Sequence, residues 1–442
     1  MPTLLVRGGT VLTAEQGRPP LEPGWVLIDG NTIVGVGEGE PDGPADQVID
    51  ATGMLVTPGF VNAHTHLCMI YGRTLGADRD LLSWLSDWQV PLMRALEPRD
   101  YALSMELGAV ENLKAGNTTI CEVFFSPHYE REVDQLAARA LDRSGLRSVL
   151  FRCSNDVTFF DGFVESRSEV VARTEKLIEA WPLDGRTRVG AGPLVPWGSS
   201  EASFRDAVEL SATYGVQLHL HTAETPEYND LVRENTGFSN VEMLAHVGAL
   251  GPGVMLNHCV HLSERDIQLI AEAGSPVIHD PTSNMLLASG VAPLPKLREA
   301  GIPLGLACDG PACNNGQDMF ETMKYAALLQ KAVTRQPGVV VAEEVFRMAT
   351  HGGARAIGLG DRLGQLRPGY LADLVLTDLR APHLTPAHDP LVALVYSARA
   401  ADVHTVLVDG RVVVRNRVLT TLDEERVVRE AGDRARRARA TL

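Results

Sequence analysis

From about Pro58 onward the chain alternates apolar runs of strand length with longer amphipathic stretches, among them Tyr101 to Leu113, Glu165 to Ala180, Ala202 to Thr213 and Glu264 to Ala273. Repeated strand and helix units of this kind require a parallel sheet, because the helix carries the chain back to the edge where the next strand starts. Their number over roughly 300 residues suits a closed (β/α)₈ barrel. A chain of 442 residues is ordinary for such a barrel with additions and can bury a large core.

The two ends have a different texture. Residues 1–57 read as short β segments, Leu4 to Val6, Thr10 to Leu12, Trp25 to Ile28, Thr32 to Val36 and Gln47 to Ile49, with Asp29-Gly30 as a hairpin turn. After Gly360 the same texture returns in Ala372 to Leu376, Val403 to Val408 and Arg411 to Val414, with a second turn at Asp409-Gly410. The expected fold is therefore α/β: a (β/α)₈ TIM barrel over residues 58–360 and a composite β-sandwich built from residues 1–57 and 361–442. The tail from Asp423, where Arg434, Arg436, Arg437 and Arg439 crowd together, reads as a solvated terminal helix without a function.

A formal charge of −16 opposes attraction to phosphate backbones and anionic lipid, so neither nucleic acid nor a membrane surface is expected as a partner. Hydrophobic residues at 45% and charged residues at 22% exclude disordered and fibrous classes. The six cysteines form no C-x-x-C pair, which reads as reduced thiols in a cytosol. No signal-peptide h-region and no apolar run of about 18 residues is present, so a cytoplasmic location is expected.

Chemistry gathers at the ends of the apolar runs. Pro58-Gly59-Phe60-Val61-Asn62-Ala63-His64-Thr65-His66 puts two imidazoles at alternate positions, and residues i and i+2 of a strand face the same side. Val216 to Glu224 is a second run ending in histidines, with Glu224 three residues beyond His221. Met255 to His261 adds His258, and Pro303 to Gly310 ends in Asp309. In a barrel these positions meet at the C-terminal face, where active sites are built. His64, His66, His221 and Asp309 offer three neutral nitrogens and one carboxylate, a set suited to Zn²⁺ or Fe²⁺ rather than Ca²⁺ or Mg²⁺. Such an ion draws the pKa of its water from about 15.7 toward ~7. Taken singly, each residue also fits a buried, hydrogen-bonded histidine or a capping aspartate.

The stretches PGFVNAHTH (58–66), HLHTAET (219–225), NHCVHL (257–262), PTSNMLLASGVAPLP (281–295) and CDGPACNNGQDMF (308–320) together resemble the amidohydrolase superfamily. Within it they are similar to the branch of methylthioadenosine/S-adenosylhomocysteine deaminases and triazine hydrolases, and the likeness spans nearly the whole chain. The resemblance implies His64, His66, His221 and Asp309 as metal ligands, Glu224 as the proton carrier to the substrate, and His258 as a partner of the hydrolytic water beside Asp309. It also implies a homo-oligomer, a dimer or tetramer. The two-metal relatives need a lysine on the fourth barrel strand, and no lysine lies between Lys176 and Lys296, so one divalent ion is expected.

On the substrate side, Trp84 and Trp88 are candidates to wall a planar ring, with core packing as their alternative. Met93 stands where nucleoside deaminases of this branch carry a ribose-gripping glutamate, and Leu194 where they carry a histidine. A side chain such as Leu194 neither donates nor accepts a hydrogen bond, which argues against adenosine-type substrates. Asp280, where many relatives have asparagine, and nearby Asn284 are candidate contacts for substrate N–H groups, with a turn aspartate as the alternative for Asp280. Phe125, beyond the second strand, and Arg152, at the end of the third, complete the candidates, a surface ion pair being the alternative for Arg152. The function these residues imply is hydrolytic deamination of an amino-substituted purine, pyrimidine, pterin or triazine. Its rivals are removal of chloride or an alkylamine from a triazine-like ring, and a catalytically idle barrel used for binding.

Overall fold

Eight parallel strands, Phe60–Thr65, Asn117–Phe124, Arg147–Ser154, Thr187–Pro193, Leu218–Thr222, Val254–His258, Val277–His279 and Leu304–Leu306, follow one another around a barrel in the computed structural model. The structure describes residues 3–41, 43–157, 160 and 162–442. Strands such as Asn117–Phe124 and Arg147–Ser154 are buried at every position. Helices therefore cover the outer face while side chains fill the inside, the normal state of a parallel sheet. The ring closes where Cys308 N–H donates to Asn62 Oδ1 at 2.9 Å and Asp309 N–H to the His64 carbonyl at 3.1 Å.

The crossover helices start and stop where their chemistry dictates. Glu264–Ala273 begins at Ser263, whose hydroxyl accepts from Asp266 N–H while Asp266 accepts from Ser263 N–H, and it ends at Gly274 with φ 71°. The reciprocal pairing satisfies two exposed donors of the first turn, and glycine takes the left-handed cap without Cβ strain.

Both chain ends share one nine-stranded sheet. Met54–Pro58 pairs antiparallel with Leu374–Asp378, and Leu4–Val11 runs parallel to Met54–Pro58. The sheet encloses a small core of its own that includes Val6, Val26, Ile28, Ile33, Leu374 and Leu407. Both expected hairpins form, Leu21–Asp29 with Thr32–Glu38 and Val403–Val408 with Arg411–Arg415. The two segments expected at Leu4 to Val6 and Thr10 to Leu12 are a single strand instead. Gly8, at φ 84°, takes up a register shift between Arg7 and Gly9, so the strand bulges without ending.

The tail also departs from expectation. Glu424–Arg439 is a helix, but it is docked rather than solvated: Val427, Ala431 and Ala438 are buried, and Arg434 donates to Asp100 at 2.6 and 2.7 Å. No helix among the described residues is long and apolar enough to cross a membrane.

Candidate metal and acid–base site

His64, His66, His221, His258, Glu224 and Asp309 converge at the C-terminal mouth of the barrel, each nearly or fully buried. Their strand ends are strained in a way that aims them inward. Ala223, His258 and Asp309 have φ of 47°, 68° and 62°, a region costing non-glycine residues about 1–3 kcal/mol. Hydrogen bonds hold the backbone there: Ala223 N–H donates to Asn240 Oδ1, and Cys259 N–H to the Thr222 carbonyl.

The ring nitrogens show what the site can hold. His66 Nδ1 lies 2.8 Å from the Val123 carbonyl, and His221 Nδ1 lies 2.8 Å from the Leu194 carbonyl. A carbonyl only accepts, so each Nδ1 carries the proton, and a neutral ring then presents a bare lone pair at Nε2. Those two Nε2 atoms are 3.2 Å apart, His64 Nε2 is 3.3 Å from Asp309 Oδ1, and His64 Nε2 has no hydrogen-bond partner. Facing lone pairs repel unless a cation lies between them. Two nitrogens on one tetrahedral ion with bonds of ~2.0–2.1 Å would stand roughly 3.3–3.4 Å apart, so the donor set and its spacing fit a divalent metal. Burial pushes His64, His66 and His221 below the ordinary histidine value, keeping them in the ligating form. Burial alone would raise Asp309, but His64 beside it, with His66 and His258, holds the carboxylate well below its usual range.

Glu224 sits beside this set. Its Oε2 is 3.6 Å from His258 Nε2 and its Oε1 accepts from Ser289 Oγ at 3.3 Å. Burial pushes its carboxyl up, against the opposing pull of His258, so it can hold a proton. His258 is anchored from behind by Asn284 Oδ1, 3.1 Å from Nδ1, with Asp280 Oδ2 at 3.6 Å. A cavity opens above these groups, with His66, His221, Glu224, His258 and Asp309 in its lining.

The amidohydrolase family model matches residues 55–413. This chain belongs to the amidohydrolase family. It is 38% identical to the 5-methylthioadenosine/S-adenosylhomocysteine deaminase of Pelotomaculum thermopropionicum, with 99% of each chain covered. An adenosine deaminase from Xanthomonas campestris with bound zinc superposes with a TM-score of 0.92 at 30% identity, covering 99% of this chain and 98% of that one. A variant of the atrazine chlorohydrolase of Arthrobacter aurescens, solved with zinc and atraton, superposes with a TM-score of 0.92 at 28% identity over 98% of this chain and 100% of its own.

In this amidohydrolase the substrate-side candidates divide. Trp84, Phe125 and Leu194 line the cavity. Trp88 does not, because its indole packs over Gly76 in the loop ahead of it. Met93 is wholly buried in the hydrophobic core. Asp280 and Asn284 are one layer too deep, behind His258 rather than facing the cavity. Arg152 is neither a substrate contact nor a surface ion pair. It is fully buried, donating to Asp134 at 2.9 Å and to both oxygens of Glu165 at 2.8 and 3.0 Å, with its guanidinium 4.0 Å from the Tyr129 ring centroid.

Several contributors escaped the sequence reading, among them Leu81, Tyr228, Leu287 and Cys313 in the cavity lining, and two bear most on the site. His219, on the same strand as His221, stacks on His64 at 4.7 Å between centroids, and its Nε2 meets His64 Nδ1 at 2.9 Å. The alternate histidine in HLHT was its only signal. Trp197 lines the cavity from a short 3₁₀ turn after the fourth strand, and no spacing rule marks it.

Proposed function

We propose that this amidohydrolase is a single-metal hydrolytic deaminase that replaces an amino group on a nitrogen heterocycle with oxygen and releases ammonia. The observation supporting it is the convergence of three imidazoles with carbonyl- or imidazole-bound Nδ1 atoms and one ionised carboxylate beside a buried, protonatable Glu224. His64, His66, His221 and Asp309 are the residues to hold the ion, with zinc favoured because it is the ion in both solved neighbours. A bound divalent ion acidifies water toward a pKa of ~7 and so supplies a nucleophile at neutral pH. The buried, unpaired cysteines suit a reducing cytoplasm.

The chain's own groups then manage protons. Glu224, whose carboxyl burial pushes toward its protonated form, donates to the ring nitrogen next to the carbon under attack, so that charge does not build on the ring. The Asp309 carboxylate accepts a proton from the attacking water. His258, held by Asn284 and lining the same cavity as Asp309, returns that proton with it to the departing amine. As the amine leaves, the added hydroxyl becomes a ring carbonyl and its proton returns to Glu224, so water and the aminated ring yield the oxygenated ring and ammonia with every protein group back in its starting state.

The test is ammonia release by zinc-loaded protein against aminated purines, pyrimidines, pterins and triazines, with Glu224→Gln alongside. The expected result is turnover by wild type and a loss of about 10²–10⁴-fold in Glu224→Gln with metal content unchanged. Chloride or alkylamine release from a triazine without any ammonia would replace this reading with the reaction its triazine-hydrolase neighbours suggest, and saturable binding without turnover would replace it with an idle barrel.

A further inference from the structure

The walls of the catalytic cavity carry few of the polar handles its floor has in abundance. Among the described residues, the polar and ionisable side chains lining it are the floor groups, Tyr228, Cys313 and the indoles of Trp84 and Trp197, each of which offers one N–H donor; no Asn, Gln, Ser, Thr, Lys or Arg side chain lines it. Tyr228 is already committed, its hydroxyl donating to the His221 carbonyl at 2.7 Å. So is Trp84, whose indole N–H donates to the Leu75 carbonyl at 3.2 Å. What remains for the distal part of a substrate is chiefly the apolar surface of Leu81, Trp84, Phe125, Leu194 and Leu287, with the Trp197 indole N–H beside it, a single donor where a ribose carries several hydroxyls that also need acceptors.

We infer that the substrate is an amino-heterocycle whose remaining substituents are apolar, alkyl, thioalkyl or aryl, and not a ribosyl nucleoside. Sugar hydroxyls brought against these walls would give up their water partners and find at most a single donor in exchange. A purely apolar pocket rejects an added hydroxyl by about 10²-fold. The aromatic faces of Trp84 and Phe125 instead suit stacking on a flat ring and contact with alkyl arms. This substrate class presupposes the deaminase reading for its chemistry but not for its binding, and it separates this chain from relatives named for adenosine-type compounds.

The decisive comparison is kcat/KM for ammonia release from 9-butyladenine, adenosine, 5′-methylthioadenosine and an N,N′-dialkylmelamine by the zinc-loaded enzyme. Dissociation constants of the same four compounds for zinc-loaded Glu224→Gln, read by tryptophan fluorescence, run beside it. The expected result is a preference of about 10²-fold for an alkyl compound over both nucleosides in each measurement. Equal or better use of adenosine or methylthioadenosine, or equal or tighter binding of either, overturns the inference. If no compound releases ammonia, the deaminase reading fails while the binding order still decides the substrate class.

Discussion

At the residue scale, the tautomers of His64, His66 and His221, the histidines proposed as ligands, decide whether the site can hold an ion. His66 and His221 lean on backbone carbonyls, whereas the Nδ1 of His64 depends on another side chain, His219. Partners of this kind typically change metal affinity by 10–100-fold. His219→Leu is therefore expected to weaken zinc binding by about that factor in a chelator competition, and His219→Gln, which keeps an acceptor, to recover much of it. Unchanged affinity in His219→Leu would remove the role. The same titration carries a pH expectation. Burial lowers the pKa of His64, His66 and His221, so their protonated, non-ligating forms appear only below the ordinary histidine range of about 6.5. Affinity should stay level from pH 8 to 6 and fall only in more acid solution; a tenfold loss between pH 7 and 6 would contradict it. The sequence pattern alone marks His64 and His66, because a two-residue period is a property of any strand. It does not separate Asp280 from a cavity-facing residue, since one step of depth behind His258 leaves no trace in spacing.

At the element scale, the terminal helix shows how far local pattern carries. Its charged face and narrow apolar stripe predict a helix, and Glu424–Arg439 is one. Its docking depends on Asp100, a buried residue more than 300 positions earlier that also accepts from Glu97 N–H at the start of Pro98–Lys114. Arg434→Ala leaves that carboxylate without its charged partner. The expected cost is about 1–3 kcal/mol, seen as a lower midpoint of thermal unfolding with kcat unchanged. A midpoint equal to wild type would show the helix to be an ornament. Arg152 teaches the same lesson in reverse: arginines are usually exposed, and only the meeting of Asp134, Glu165 and Tyr129 around the third strand makes burial tolerable.

At the scale of the whole molecule, barrel and sheet are joined by a buried charge cluster. Arg147, at the start of the third barrel strand and so at the end opposite the site, donates to Asp373 at 2.9 and 3.1 Å and to Asp409 at 3.1 Å. Arg147→Ala strands Asp373 without a cation and is expected to cost about 3–5 kcal/mol in urea unfolding while leaving zinc affinity intact; stability within 1 kcal/mol of wild type would refute it. By itself the sequence determined the order of strands and helices, the pairing of hairpins at Asp-Gly turns, and the strand ends where histidines and Asp309 gather, because periodicity and turn chemistry are local. Tertiary structure alone decided the partners of Arg147, Arg152 and Arg434, the support of His64 by His219, and the apolar walls above Glu224. Each of those depends on residues distant in the chain meeting in space, and a buried charge or an imidazole tautomer is set by the neighbours that closure of the barrel brings to it.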